Sequence, residues 1–451
     1  MRKGTAHAAS AIVAMLLLAG CLIQRTPLQT AVIFADSPAA AARAAERTGG
    51  DITHDLHLIN AVGVMISEVG IDALVNDATV TRVVVAGNPS VERADSTGAH
   101  SEITSWLERS LNRPAVNDLL QTYLQSAAPS LTGRGVGVAL IDTGLSPMVT
   151  DEAASVRDIP SFNALTNTQG DVRDVTGHGT HLASLISGFG DSFRGVAPDA
   201  EIIAIKAFNH EDTASTIDII RGIQWAVDHK TSHNIRVLNL SISAPTDLPY
   251  YLDPLNIALT NAWSEGLVVV VSAGNEGPVP SSVTSPGNNP WLITVGAADY
   301  EEDSGWTKVA PFSGRGPTAT GHIKPDIVVA GTLLAGVQPD GAIRPTGEPD
   351  HRDPKGFWIT SGASQASAIA SGFIALLLEA RPDLSNHDVK CILANTAIPL
   401  TVDADGKLSP FAQGRGLVDL AAALKSNATD CEERLEGLDP SLPLKGAFAS
   451  Q

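Results

Sequence analysis

The sequence predicts an α/β protein with a doubly wound, mostly parallel sheet and helices on both faces. A small α+β domain of the ferredoxin-like plan precedes it. Continuous apolar runs begin at Val136–Ile141 and are typical of strands buried on both faces of a sheet. Helical patterns separate these runs, which favours crossover connections between parallel strands. A tighter β-α-β-β-α-β pattern between about Thr30 and Ala86 predicts the small domain.

Composition limits the classes of function. The chain has 451 residues with a net charge of −19, and 43% of its residues are apolar, which is enough for a large core. The acidic balance argues against nucleic acid as the main partner, because phosphate binding needs clustered cations. The chain has only three cysteines, Cys21, Cys391 and Cys431, too few for a disulfide framework. A Cys391–Cys431 disulfide stays open, because sequence does not supply its geometry.

The N-terminus, residues 1–21, has the pattern of a signal peptide. Arg2 and Lys3 precede the apolar run Ala11–Ala19, which is too short for a comfortable membrane span. The run ends in Leu18-Ala19-Gly20-Cys21, which resembles the lipobox of bacterial lipoproteins. That resemblance implies a bacterial protein that is exported and is anchored in the cell envelope by lipid on Cys21. An ordinary signal peptide and an uncleaved anchor are the alternatives.

The small domain is predicted over residues 30–87. Ser37 is a helix N-cap followed by proline at the first helical position, and Gly49-Gly50 ends that helix. The remaining elements follow from apolar patterning. The predicted strands are Ala31–Phe34, a strand pair or bent strand over Leu56–Ile66, and Thr81–Val85, with a short helix at Ile71–Val75.

Residues 88–130 are predicted to form a linker followed by two helices. Pro89–Ser101 is polar and rich in turn residues, and Ile103–Leu111 and Val116–Ser126 have apolar residues spaced by three or four. The large domain is predicted over residues 131–426. The remaining residues, 427–451, are acidic and poor in apolar periodicity, which is typical of an extended or disordered tail.

The large domain is predicted from alternating elements. After Val136–Ile141, the predicted strands are Ile202–Ile205, Val237–Leu240, Leu267–Val271 and Leu292–Val295. The helices between them are predicted at Gly179–Ile186, Thr216–Asp228 and Pro254–Ser264. In such sheets functional residues lie at the carboxyl ends of the strands.

Asp142 directly follows the first of these strands, in Asp142-Thr143-Gly144. A structural alternative is an aspartate that begins a turn. The Asp-Thr-Gly triplet also occurs in aspartic proteases, which need a second such motif or a homodimer in an all-β setting. This chain has no second Asp-Thr-Gly, and the surroundings are α/β.

His178 lies between two glycines at a predicted helix start, where a neutral imidazole is able to act as a base. A surface histidine and a metal site shared with His181 are the alternatives. No set of Cys or Glu ligands accompanies the two histidines, so the sequence predicts no metal site.

Asn275 follows the strand Leu267–Val271, where its amide is able to donate to an oxyanion. An Asn-Glu-Gly turn is the alternative. Ser364 lies in a run of small residues, Gly362–Ala368, before a strongly apolar helix. The start of a helix has unpaired amides and a positive dipole, which favours negative charge in acyl transfer. Close packing of small residues is the alternative.

The order Asp142, His178, Asn275, Ser364 resembles that of the subtilase family of serine proteases. The resemblance covers about Leu131–Leu424. It is supported by the stretches Gly195–Pro198, Pro311–Pro317, Lys324–Asp326 and Gly414–Asp419. It implies a serine endopeptidase that acts on proteins or peptides and is made as a precursor. By the same resemblance, the small domain is a propeptide that assists folding and inhibits the enzyme.

The resemblance assigns a role to each residue. Ser364 is the nucleophile, His178 moves the proton, and Asp142 orients the imidazole. Asn275 and the backbone N–H of Ser364 form the oxyanion hole. The strand at Ser241, Ile242 and Ser243 and the segment Ser272, Ala273 and Gly274 are predicted to bind substrate. The chemistry requires no cofactor. Structural calcium is common in the family, so it stays open here, but no site is assigned to it.

The chain departs from the family at several positions. Ala363 and Gln365 replace the usual Thr and Met beside the nucleophile, and Ala368 stands where proline is common. An inactive homologue that acts as a binding protein therefore remains an alternative. Ser243 replaces a common glycine, which predicts a narrow pocket for small or medium apolar residues. The acidic segment around Glu211-Asp212 predicts basic residues further upstream in the substrate.

The order of the parts has a consequence for maturation. Lipid on Cys21 would tether the propeptide and not the catalytic domain. Self-cleavage in the linker, between about Ala86 and Ser101, would therefore release the protease from its anchor. The predicted partners are protein or peptide substrates, the chain's own propeptide, and a membrane before processing.

Overall fold

The computed structural model describes residues 27–90, 115–146, 159–188, 193–244, 248–301, 305–339, 341–342, 351–400 and 409–427. Several sequence predictions lie outside these residues. They are the signal segment with Cys21, the linker beyond Ser90, the helix Ile103–Leu111, the acidic tail after Asn427 and Cys431. The described residues form two compact units. The first comprises those up to Asp55 together with Asn60–Val85, and the second comprises Leu56–Ile59 and those from Ala86 onward.

The first unit has the predicted β-α-β-β-α-β order. Its antiparallel sheet has the strand order β2-β3-β1-β4, and β1 pairs with both β3 and β4. The elements are β1 Leu28–Ala35, α1 Pro38–Arg47, β2 Asp51–Leu56, β3 Ala61–Ser67, α2 Glu68–Val75 and β4 Val80–Val85.

The start of α1 follows the predicted capping signal. The Ser37 side chain accepts a hydrogen bond from the Ala40 N–H, and Pro38 stands at the first helical position. Small residues on one face of α1, Ala41, Ala44 and Ala45, pack in a core with Ile33 and other strand residues. Their small size lets the helix lie close to the sheet.

The prediction for the second strand of this unit is wrong in its position. The strand pair predicted over Leu56–Ile66 is instead β2, Asp51–Leu56, and β3, Ala61–Ser67, separated by a 3-10 turn at His57–Ile59. β2 is an edge strand with mostly exposed side chains, so it lacks the apolar run that marks a buried strand.

The second unit contains the predicted doubly wound sheet. Its strand order is β12-β11-β10-β9-β5-β8-β6-β7, with β13 paired to β11. The neighbouring pairs from β6 to β11 are parallel, and so is the pair of β13 with β11. β12 pairs antiparallel with β11, and β7 pairs antiparallel with β6. The strands are β5 Gly137–Asp142, β6 Ser161–Asn163, β7 Thr168–Gln169, β8 Glu201–Lys206, β9 Ile235–Leu240, β10 Val268–Ser272, β11 Ile293–Glu301, β12 Gly305–Val309 and β13 Ile327–Ala330. A separate hairpin pairs β14 Leu334–Gly336 with β15 Trp358–Thr360.

The helices of the second unit pack in two groups against this sheet. One group contains α4 and α7, and the other contains α5 and α6. The helices are α3 Asn117–Ala127, α4 His178–Ser187, α5 Thr216–Asp228, α6 Pro254–Ser264, α7 Ala363–Ala380, α8 Asn386–Thr396, α9 Pro410–Gln413 and α10 Leu420–Lys425.

Helix α7 is the central helix of the second unit. By length and composition it passes the test for a membrane-crossing helix, but 89% of its apolar 18-residue window is buried inside the protein. It packs on β9, β10, β11 and β13, which makes it a core helix. Strands β5, β9 and β10 are neighbours in the parallel part of the sheet, so the residues that follow them share one edge.

Candidate active site

Asp142 is the last residue of β5 and is almost fully buried, at 1% exposure. Its Oδ1 atom accepts a hydrogen bond from the Thr143 N–H at 2.7 Å and lies 2.8 Å from His178 Nδ1. The chain bends at Thr143, and the Asp142 carboxylate both accepts from the amide of that residue and orients a histidine. These contacts fix the imidazole with Nδ1 toward the carboxylate.

His178 is the first residue of α4 and is 3% exposed. Its Nε2 atom is buried and has no hydrogen-bond partner among the described residues. Gly177 has φ +92°, a conformation that favours glycine. Gly179 serves a different purpose, because a Cβ there would lie 2.3 Å from the Gly144 carbonyl oxygen. The absence of that Cβ lets the start of α4 approach the loop after β5.

Ser364 is the second residue of α7 and is 1% exposed. Its Oγ atom donates to the Ser241 carbonyl oxygen at 3.4 Å, directly after β9. Ser364 is thus at the carboxyl end of β9, next to the strand that carries Asp142.

Asn275 is fully buried in the loop after β10. Its Oδ1 atom accepts a hydrogen bond from the Ala363 N–H at 2.9 Å, directly before Ser364. Because Oδ1 is engaged, the amide presents Nδ2 as its donor at the opposite end. The loop position is fixed by the Gly314 N–H, which donates to the Gly274 carbonyl oxygen at 2.9 Å.

Buried hydroxyl groups connect the first turns of α7 to β9. Ser241 Oγ lies 2.6 Å from Ser367 Oγ, and Ser371 Oγ lies 2.9 Å from Asn239 Nδ2. Ser367 Oγ also donates to the Ser364 carbonyl oxygen at 2.8 Å. The small residues of this helix therefore fill a polar layer under Ser364, and the prediction from sequence did not include that layer.

The predicted substrate-binding strand also lies at this edge of the sheet. The side chains of Ser241 and Ser272 bond within the protein, the latter to the Ile242 carbonyl oxygen at 3.2 Å. Ser243 Oγ lies 2.7 Å from the Thr284 hydroxyl. Thr284 carries no signal in the sequence, because it lies in an irregular loop. Ala273 is fully buried, and Gly274 adopts φ +86°.

Residues just after the small domain already pair with this strand. Ser90 and Ser243 exchange two backbone hydrogen bonds of 3.2 Å in an antiparallel bridge. On the other side, the Ala214 N–H donates to the Pro89 carbonyl oxygen at 2.9 Å. A short segment of the chain itself therefore forms backbone hydrogen bonds on both of its sides, to Ser243 and to Ala214.

The described residues contain no cluster of three or more His, Cys, Asp or Glu side chains able to hold a metal ion. His181 of the considered metal pair is buried, and its Nε2 lies 3.2 Å from the Trp358 carbonyl oxygen. Cys391 is buried in α8.

The profile of the subtilase family matches residues 133–416 of the chain, well over half of its length. The chain belongs to the subtilase family. This confirms the resemblance predicted from sequence, together with its subtilisin-like fold. The subtilases are serine proteases, and the carboxyl-end cluster around Asp142, His178 and Ser364 lies within the matched residues.

Named relatives agree with this assignment. The chain is 35% identical over 277 residues to the serine protease AprX of Bacillus subtilis, covering 59% of this chain and 62% of AprX. It is 30% identical over 308 residues to a subtilisin of Bacillus pumilus, covering 66% of this chain and 96% of that subtilase. Among solved structures, fervidolysin of Fervidobacterium pennivorans, a keratinolytic enzyme related to subtilisin, shares the fold with a TM-score of 0.67 at 21% identity. That match covers 89% of this chain and 62% of fervidolysin.

Proposed function

We propose that this subtilase is an active serine endopeptidase with Asp142, His178 and Ser364 as its catalytic triad. The observation that carries the proposal is the 2.8 Å contact from His178 Nδ1 to Asp142 Oδ1, with Nε2 buried and unpartnered among the described residues. An imidazole held in this way keeps Nε2 available to accept a proton.

The reaction proceeds through an acyl-enzyme. Ser364 Oγ attacks the substrate carbonyl carbon, and its proton passes to His178 Nε2. The imidazolium is stabilised by Asp142 and gives the proton to the leaving amine as the C–N bond breaks. Water then attacks the ester, His178 takes a proton from the water, and that proton returns to Ser364.

Asn275 and the backbone N–H of Ser364 are the proposed oxyanion donors. Both belong to rigid parts of the chain, since Asn275 Oδ1 is fixed by the Ala363 N–H at 2.9 Å. A donor held in place before reaction needs no reorganisation when the negative charge develops. Gln365 replaces the family's methionine but removes none of these donor atoms.

The proposed substrate preference follows from the predicted substrate-binding strand at Ser241–Ser243. The hydroxyls of Ser243 and Thr284 lie 2.7 Å apart and occupy volume that glycine would leave open. This supports the preference for small or medium residues before the scissile bond. Basic residues further upstream remain the prediction from the acidic Glu211-Asp212 segment.

We further propose that the protein processes its own precursor. If the antiparallel register of Ser90 and Ser243 were continued along the sequence, the residue two positions after Ser90 would face Ser241. Ser241 is the residue whose carbonyl contacts the nucleophile, 3.4 Å from Ser364 Oγ. Counting along the sequence predicts cleavage of the Glu92–Arg93 bond. A tethered substrate reacts at high effective concentration, so it needs no preferred side chain.

Processing at this bond would separate the protease from its predicted lipid. The lipid on Cys21 would stay with the N-terminal piece, and the catalytic domain would begin at Arg93. This completes the proposal of a bacterial protein that is exported as a membrane-tethered zymogen and then released.

Intact-mass analysis of the wild type beside Ser364→Ala tests these proposals. The wild type should yield a product beginning at Arg93 and should hydrolyse casein. Ser364→Ala should stay full length and lack activity. Equal residual activity in both proteins would favour the inactive-homologue alternative, and a different new N-terminus would contradict the predicted bond alone.

A further inference from the structure

A second buried carboxylate lies beside the Asp142–His178 pair. Asp174 is 2% exposed. Its Oδ1 atom accepts hydrogen bonds from the backbone N–H groups of Thr176 at 3.1 Å and Gly177 at 2.8 Å. Its Oδ2 atom accepts from Thr180, at 2.9 Å from the N–H and 2.7 Å from the hydroxyl. A buried carboxylate with this many donors is fixed in one orientation.

These bonds define the start of α4. Gly177 is the N-cap residue and has no side chain to accept from the first helical amides. Asp174 supplies that acceptor from three residues earlier, through its bond to the Thr180 N–H. It therefore determines where His178, the first residue of the helix, lies.

Asp174 also contacts the loop that carries Asp142. Thr143 Oγ1 lies 3.0 Å from Asp174 Oδ1 and 3.2 Å from Asp142 Oδ1. The same hydroxyl accepts a hydrogen bond from the Gly179 N–H at 2.9 Å. One threonine thus contacts both carboxylates and the residue after His178, which couples the two loops.

A buried cation offsets part of the negative charge of the two carboxylates. Lys206, at the end of β8, donates from Nζ to the Thr143 carbonyl oxygen. Burial lowers the pKa of Lys206, and the charges of Asp174 and Asp142 act against that lowering. Removing Asp174 would therefore change both the hydrogen bonds and the electrostatic balance around the same loop.

We propose that Asp174 is a positioning residue that holds the His178 imidazole in register with Asp142. The proposal rests on the catalytic roles assigned to His178 and Asp142 above. Asp174 acts from both sides of the pair, through the first turn of α4 and through Thr143. Its contribution appears in the rate of proton transfer and not in substrate binding, since its hydrogen bonds reach the loop after β5 and the start of α4 and not the strand Ser241–Ser243.

Asp174→Asn tests this directly, with Asp171→Asn as a matched control. Asparagine keeps one acceptor oxygen but places an NH₂ group against donors. The control removes the same charge from an exposed residue three positions earlier, whose φ of 42° asparagine tolerates. We expect Asp174→Asn to lower kcat per titrated active site at least about 30-fold with KM within about threefold, since misplacing a catalytic group by 1 Å is able to cost about 100-fold. The control should stay within about twofold.

Active-site titration with a sulfonyl fluoride separates positioning from misfolding. A merely structural role would lower the fraction of titratable sites and leave kcat per site unchanged, which would overturn the proposal. Thr143→Val provides a second variant if Asp174→Asn does not fold. It removes only the bridging hydroxyl and should lower kcat about three- to tenfold. An unchanged kcat in Thr143→Val would also overturn the proposal. An active Ser364→Ala protein would instead overturn the proposed triad itself.

Discussion

Replacing Gly179 by alanine should disable the triad without removing any catalytic atom. The alanine Cβ would lie 2.3 Å from the Gly144 carbonyl oxygen and 3.1 Å from Asp142 Oδ1. The first atom is backbone, and the second belongs to a buried carboxylate that Thr143 and His178 hold in place, so neither is free to move aside. Alanine is intrinsically the better helix former, so the substitution carries no propensity cost of its own.

The expected magnitude follows from the required displacement. Real Cβ atoms essentially never approach closer than 3.0 Å, so the contact must open by about 0.7 Å. Gly179 directly follows His178, and Gly144 is two residues after Asp142. Moving the start of α4 away from Gly144 by this distance would lengthen the 2.8 Å separation of His178 Nδ1 and Asp142 Oδ1 to about 3.5 Å, which is longer than an ordinary N–H···O hydrogen bond. A displacement near 1 Å is able to cost about 100-fold in rate, or about 2.7 kcal/mol of transition-state stabilisation.

The assay is hydrolysis of a chromogenic peptide, normalised to active sites titrated with a sulfonyl fluoride. Gly222→Ala in α5 is the control, because its Cβ would meet the Cγ2 methyl group of Ile205 at 2.9 Å and its three nearest atoms are side-chain methyl groups that belong to none of Asp142, His178 and Ser364. We expect kcat to fall about 100-fold for Gly179→Ala and less than threefold for Gly222→Ala. A Gly179→Ala protein within threefold of wild type would refute the reasoning from this contact.

Three further predictions concern specificity, the oxyanion site and acid stability. Ser243→Gly should broaden the cleavage preference toward larger side chains in a peptide-library profile, and an unchanged profile would show that Ser243 does not limit the pocket. Gln365→Glu should lower kcat about 10- to 100-fold, because it adds negative charge near the developing oxyanion, whereas Gln365→Met should stay within threefold in the same peptide assay. The pKa of Asp77 is lowered to about 2, first by the Thr79 hydroxyl and then by Arg47. Its stabilising contribution is therefore present above the ordinary value of 3.8 and is lost as pH falls through about 2. In acid titrations of a Ser364→Ala background, followed by circular dichroism, Asp77→Asn should weaken the first unit near neutral pH and flatten its acid transition. Identical curves would contradict this.

The fold was predictable wherever one physical signal dominated. Strands β5 and β10 are continuous apolar runs, and the helices Thr216–Asp228 and Pro254–Ser264 occur within the predicted bounds. The second helix begins where Asp253 accepts from the Leu255 N–H and Pro254 occupies the first position. The sequence prediction misplaced β2, because an exposed edge strand carries no apolar run. The position of β2 is set by its pairing with β3, which the sequence pattern does not show.

The site was predictable as a set of residue types but not as a geometry. Strand ends and chain order indicated Asp142, His178, Asn275 and Ser364. Asp174 has no such signal, because an aspartate in a turn is common and its importance depends on tertiary contacts. Thr284 was missed for the same reason, since its loop meets Ser243 only after folding.

The two glycines around His178 illustrate this difference. The sequence places one on each side of His178 at a predicted helix start and does not distinguish between them. The structure assigns them separate tasks, since Gly177 adopts φ +92° and Gly179 permits the close approach of Gly144.

The small residues around Ser364 have a similar explanation. Close packing and a reactive helix start were alternatives for this stretch of the sequence. In the structure they coincide, because Ser367 and Ser371 are small enough to pack and polar enough to bond α7 to Asn239 and Ser241. A methyl group in place of either hydroxyl would fill the same space but leave buried donors unsatisfied. The nucleophile is therefore held by a polar layer whose members also had to be small, which is why a run of serines and alanines precedes the apolar turns.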